Sequence, residues 1–160
     1  MRKADSIRAW LTAYLPALKT HPDRLQVWVE GGTVASRRSD NPSFVYRYQL
    51  KVGLWEFVGN ADHVMVPVLA WIEKEQPDLL RRADSAPFSF ECELLDGDAS
   101  DLLISIDVTE NVVVTARADG SGYDIDHPSE PALATSFAGV PAPTPFGVLI
   151  ANDEDLTPGV

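Results

Sequence analysis

The longest regular alternation of apolar and polar residues in the chain runs from Ser43 to Leu54. This period of two is typical of a half-buried strand. Apolar residues from Val64 to Ile72 then predict a helix of about residues 62–76, which would cover the strand. Pro67 requires that this helix either starts near Val66 or kinks. The predicted inward residues of the strand are Phe44, Tyr46, Tyr48, Leu50, Val52 and Leu54, and its outward residues include Arg47, Gln49 and Lys51.

The N-terminal third adds a helix and a strand. Apolar spacings of three, four and seven predict an amphipathic helix over residues 5–15, with Asp5 or Ser6 as its N-cap. Residues 25–31 alternate as a strand on which Trp28 faces outward, either under a loop or against a neighbouring subunit. The polar, glycine-rich residues 31–42 are interpreted as the long tip of a hairpin that carries Arg37 and Arg38.

The second half of the chain predicts a meander followed by an arm. Alternation over residues 88–94, 101–108 and 112–116, separated by the turn DGDAS and by a turn near Glu110 and Asn111, predicts three antiparallel strands. Cys92 alternates with Phe90 and Leu94 and is therefore predicted to be an inert core residue. The expected fold class is α+β, with an antiparallel or mixed sheet of four to five strands and two helices packed on one face. Six of the twelve prolines follow His127, so we divide the chain into a core domain, 1–127, and an extended C-terminal arm, 128–160.

Charge is unevenly distributed along the chain. The net charge is -11, but residues 1–60 carry nine cations and five acids, while residues 61–160 carry four cations and nineteen acids. This distribution argues against binding to duplex DNA, which needs a concentrated basic surface. It is compatible with head-to-tail association between copies. The residues predicted to form such an interface are Trp28, Arg37, Arg38, Asp96, Asp98 and Asp101.

The candidate chemistry is sparse. His63 beside Asp62, and His127 after Asp124 and Asp126, have the composition of a metal pair or of a base with its orienting acid, but turn and cap roles explain them better. The single cysteine cannot form an internal disulfide, so a reducing cytoplasm is expected. The first residues do not resemble a signal peptide, and no apolar run approaches the length that spans a bilayer. We predict no enzyme, no cofactor, no metal and no membrane contact.

Three runs of sequence carry a family resemblance. SFVYRYQLKV and MVPVLAWIEKEQPDLL, set after LPALKTHPDRLQVWVEGG, resemble the tail completion protein R family of contractile-tailed temperate bacteriophages. The resemblance implies a structural, tail-terminator-like part of the virion tail, assembled in the host cytoplasm, that caps the tail tube and takes part in head–tail joining. The implied partners are other copies of itself, in a ring that could be a hexamer, and the tail tube or connector proteins. DNA would pass nearby without specific binding.

Two other functions remain open at this point. One is a small ligand-binding or regulatory domain, with a pocket between the sheet and the side chains of Trp10, Tyr14 and Trp71. The other is a hydrolase that uses His63 or His127 as its base.

Overall fold

The computed structural model describes residues 1–36, 41–81 and 86–131, together with the backbone of residues 150–151 and 154–155. Its helices are α1 (Arg2–Tyr14), α2 (Ala17–Thr20) and α3 (Asp62–Glu75), with short 3₁₀ turns at Pro22–Arg24 and Pro77–Arg81. Its strands are β1 (Leu25–Ser36), β2 (Phe44–Val58), β3 (Ser89–Leu94), β4 (Ala99–Ala116), β5 (Tyr123–Asp126), β6 (Ile150–Ala151) and β7 (Glu154–Asp155).

The main sheet has five antiparallel strands. Its order is β1-β2-β4-β3, and β5 pairs with the last four residues of β4. The two longest strands, β2 and β4, lie at the centre and pair from Phe44↔Val112 to Val58↔Ala99. A bulge interrupts this ladder after Leu54, and Glu56 takes a positive φ of 49° there. The α+β prediction is confirmed.

One face of the sheet forms the core together with α1 and α3. The residues that the β2 alternation predicted to face inward include Leu50, Val52 and Leu54, which are all buried. Helix α1 contributes Ile7 and Leu11 to the same core, and both are fully buried. The rest of the fully buried core consists of Val64, Val68, Trp71, Ile72, Leu102, Ile104 and Ile106.

Helix α1 starts earlier than predicted, whereas α3 starts at the predicted residue. Helix α1 begins at Arg2, so neither Asp5 nor Ser6 is its N-cap. Helix α3 begins at Asp62 and contains Pro67, so the alternative start near Val66 is wrong. Pro67 has no N–H for the helical hydrogen bond, but its carbonyl accepts the indole N–H of Trp10 at 2.9 Å. This contact ties α3 to α1 at the point where α3 lacks a hydrogen bond of its own.

Two strands are longer than predicted. Strand β1 continues to Ser36 and pairs with β2 as far as Ser36↔Phe44, so half of the predicted hairpin tip is strand. The predicted turn at Glu110 and Asn111 is wrong, because β4 runs through both residues. Its alternation of buried and exposed residues persists there, with the carboxylate of Glu110 in place of an apolar side chain. Glu110, a polar residue at an inward position, therefore led to the prediction of a turn from the sequence.

Strand β3 corrects a further prediction. Its pairing places Phe90 opposite Ile104 and Cys92 opposite Leu102, so both belong to the core face, as the alternation indicated. All six residues of β3 are nevertheless exposed, and Cys92 is an exposed free cysteine rather than a core residue. The helices leave this edge of the sheet uncovered.

Candidate assembly surfaces

The uncovered edge of the sheet combines exposed apolar side chains with a strand that is paired on one side. Among the described residues β3 pairs only with β4. Phe90 is 56% exposed and Leu94 is 83% exposed, although both lie on the face that is buried elsewhere in the sheet. An exposed apolar edge strand is a template for pairing with another chain. We call Ser89–Leu94 the open edge.

The open edge is strongly acidic on its other side. Glu91 and Glu93 alternate with the apolar residues and are exposed, and the turn to β4 adds exposed Asp96 and Asp98. Residues 86–116 contain seven acids and no lysine or arginine. A partner for this edge therefore has to supply both apolar contacts and positive charge.

The predicted interface residues are not all equivalent in the structure. Asp96 and Asp98 are exposed, but Asp101 is half-buried and accepts the backbone N–H of Glu56 at 2.8 Å. Asp101 thus supports the β2 bulge, and its place in an interface stays a prediction. Arg37 and Arg38 lie outside the described residues.

Trp28 lies at the opposite end of the sheet, on the outer face. It is 38% exposed, and its ring lies close to Gly53 together with the ring of Trp55. A Cβ atom on Gly53 would lie 2.8 Å from Cζ2 of Trp55 and 3.3 Å from Cζ3 of Trp28. The glycine therefore allows two tryptophans to lie against the strand, and sequence reasoning missed its role.

The edge formed by β1 is partly blocked. Helix α1 places Arg8 so that its guanidinium donates to the carbonyls of Leu25 at 3.5 Å and Val27 at 3.1 Å. Beyond a bulge between Glu30 and Gly32, the second half of β1 continues to Ser36. Val34 in that half is 61% exposed.

A buried polar cluster fastens the N-terminus of α1 to the sheet. The Glu110 carboxylate, only 3% exposed, accepts the backbone N–H of Arg2 at 2.8 Å, that of Lys3 at 3.4 Å and the hydroxyl of Tyr48 at 2.9 Å. Glu110 thus satisfies helix N–H groups that no local cap reaches. Sequence reasoning missed this residue, because the spacing of 108 residues between Arg2 and Glu110 leaves no local pattern.

Opposing effects set the pKa of Glu110. Burial alone raises it, but hydrogen bonds from the Arg2 backbone, the Tyr48 hydroxyl and the Lys3 backbone bring the pKa below its ordinary value of 4.5. Burial and the bond to Glu110 raise the pKa of Tyr48 far above its ordinary value. The tyrosine therefore stays a donor and the glutamate stays charged at neutral pH.

The same cluster anchors the start of the C-terminal arm. The Lys3 ammonium donates to Glu130 at 2.7 Å, to the Thr109 carbonyl at 2.7 Å and to Gln76 at 3.0 Å. Arg2 donates to the carbonyl of His127 at 2.9 Å. These bonds connect α1, the end of α3, β4 and the residues after β5.

The residues proposed for catalysis or ligand binding do not converge. His63 is buried, while His127 lies with its Nδ1 at 3.0 Å from Glu110. Within the described part of the chain, no group of three histidine, cysteine or acidic residues could hold a metal ion. Trp10, Tyr14 and Trp71 are buried in the core, so they do not line the open pocket that a ligand-binding domain would need. No helix in the described ranges is long and apolar enough to span a membrane.

An exposed apolar and acidic sheet edge is a surface on which another chain can associate. Residues 1–131 match the family model described as P2 phage tail completion protein R (GpR). The chain is also 35% identical over 139 residues to the tail completion protein R of Escherichia phage P2, across 84% of this chain and 89% of that protein. The chain therefore belongs to the P2 phage tail completion protein R family, as its sequence runs indicated. No solved structure matches it.

Proposed function

We propose that the protein completes the tail of a contractile-tailed phage or prophage by capping the head-proximal end of the tail tube. From that position it takes part in joining the tail to the head. The observation that carries this proposal is family membership, together with 35% identity to a tail completion protein over most of both chains. The protein acts as a structural part of the virion tail, assembled in the host cytoplasm, and not as an enzyme.

A capping protein must match the symmetry of the tube beneath it, and we propose a ring of identical copies, with six as the expected number. Head-to-tail contacts generate such rings when the rotation closes. The basic hairpin tip with Arg37 and Arg38 would reach the next copy or the tube beneath it, and the exposed acids Asp96 and Asp98 would face a partner that carries positive charge. Trp28, exposed on the outer face, would anchor a contact with the tube or the connector.

The overall negative charge is compatible with a protein that lies beside the path of the DNA. The net charge of -11 repels a polyanion and so disfavours adhesion as DNA passes. Binding of DNA would instead need a concentrated basic surface.

Complementation of assembly tests this function. The phage or prophage that encodes the chain is deleted for it, and the lysate is examined for free heads and free tails. Purified protein added to this lysate should restore complete particles, and heat-unfolded protein should not. Normal yields of complete particles without the protein would overturn the proposal.

A further inference from the structure

We propose that the open edge, Ser89–Leu94, is the docking site for the second half of β1, Thr33–Ser36, of a neighbouring copy. The sheets of adjacent copies would then join edge to edge. This inference rests on the proposed function, since it names the contact by which copies associate. Its basis is the match of strand direction, side-chain faces and charge between the two edges.

Strand direction permits the contact, with the neighbour shifted along the strands, because β3 lies level with Leu25–Trp28 of its own β1. Because β1, β2, β4 and β3 pair antiparallel in that order, β1 and β3 run in opposite directions at the two ends of one sheet. A neighbour placed in the same orientation therefore brings its β1 antiparallel to β3. Main-chain hydrogen bonds of this kind supply affinity when a strand is added to an exposed edge.

The side-chain faces also match across the contact. Val34 pairs with Tyr46 and so lies on the core face, as Phe90, Cys92 and Leu94 do. On the outer face Arg47 is exposed and paired with the small Thr33, so its long side chain can reach over that residue. It would approach Glu91 and Glu93 of the adjoining copy, which gives apolar contacts on one face and opposite charges on the other.

Other occupants from this chain fit less well. Two open edges paired with each other would set Glu91 and Glu93 against the same acids, which is unfavourable. Residues 118–160 contain no lysine or arginine, so the C-terminal arm offers no positive charge to the acidic edge. The first half of β1 has its carbonyls at Leu25 and Val27 engaged by Arg8, which directs the contact to the second half.

The single cysteine makes a disulfide test possible. Val34→Cys places a second thiol on β1, while the native Cys92 lies on β3. Within one copy three strand spacings, about 14 Å, separate the two strands, and Cys92 lies level with Leu25 rather than with Val34. The two positions are therefore too far apart for a disulfide. Any disulfide between these positions therefore joins two copies.

We expect V34C protein to give a ladder of dimers, trimers and higher species on a non-reducing gel after mild oxidation. The matched control is V58C, because Val58 is 58% exposed and Val34 is 61% exposed, but Val58 lies in β2 away from both edges. The V34C/C92S variant separates disulfides between two introduced thiols from those that involve Cys92. The gel is run on concentrated protein and on isolated tails, since the ring could require the tube.

Three results would overturn the inference. Dimers alone in the unsubstituted protein would indicate pairing between two open edges. A cross-link from Cys92 to a protein of different mass would assign the edge to another tail component. The third result is that no ladder forms in either sample and Cys92 becomes reactive only after removal of residues 132–160. This result would show that the C-terminal arm covers the open edge.

A second variant measures the contact without chemistry at the cysteine. V34E should weaken self-association by about tenfold or more, because it places a charge in an apolar contact beside an acidic strand, and V58E should not. If no ladder forms but complementation succeeds, only the proposed docking edge is refuted. If the ladder forms but complementation fails, the proposed function is refuted instead.

Discussion

Replacing Glu110 with alanine should destabilise the protein strongly, although this residue has no role in any proposed surface. The carboxylate accepts two close hydrogen bonds, from the Arg2 backbone and the Tyr48 hydroxyl, and a longer one from the Lys3 backbone. Hydrogen bonds to a charged group contribute about 1.5–3 kcal/mol each. Counting the two close bonds, we expect E110A to lower the free energy of unfolding by about 3–5 kcal/mol.

Urea denaturation followed by tryptophan fluorescence measures this loss. Tyr48→Phe is the matched control, because it removes one donor and leaves the carboxylate with its two backbone donors. We expect Y48F to cost about 1.5–3 kcal/mol, less than E110A, because only one of the two close hydrogen bonds is lost. If E110A lies within 1 kcal/mol of the wild type, Glu110 does not hold α1 and the reasoning fails.

The pH dependence gives an independent check. Since the pKa of Glu110 is lowered in the folded protein, its stabilisation is present above the ordinary value of 4.5 and is lost as pH falls through the folded pKa. The difference in stability between wild type and E110Q should therefore be largest at pH 6–7 and shrink below about pH 4.5. A difference that stays constant from pH 7 to pH 3 would contradict the assigned pKa.

Three further predictions concern the surfaces and the arm. Gly53→Ala should lower the free energy of unfolding by about 1–3 kcal/mol, because a Cβ atom would lie 2.8 Å from the ring of Trp55; unchanged urea denaturation would contradict this. Removal of residues 132–160 should leave a cooperatively melting core, and loss of cooperativity in calorimetry would place part of the arm in that core. Replacing Arg37 and Arg38 with glutamate should leave the melting temperature unchanged and impair self-association or attachment to tails, most clearly at low salt; normal assembly in sedimentation would make the tip a solvated loop.

The regular parts of the fold could be predicted because they repeat locally. The alternation in β2 identified Leu50, Val52 and Leu54 as core residues, and the structure buries all three. The same rule assigned Phe90 and Cys92 to the core face correctly but could not show that the helices stop short of β3. Periodicity defines which face a side chain is on, and only the packing of distant elements decides whether that face is covered.

The polar cluster around Glu110 could not be predicted from local sequence patterns, for a related reason. Glu110 interrupts an apolar alternation and was interpreted as a turn, whereas its partners Arg2 and Lys3 lie more than 100 residues away. Long-range polar contacts leave no period in a sequence. The family resemblance, by contrast, depended on whole runs of residues and was confirmed by the match over residues 1–131.

The position of the protein in the particle tests the central claim most directly. Particles of the encoding phage, or its free tails, can be labelled with gold-conjugated antibodies and viewed by electron microscopy. The proposed function predicts label at the head-proximal end of the tail tube only. Label along the tube, at the distal end, or nowhere on finished tails would contradict it.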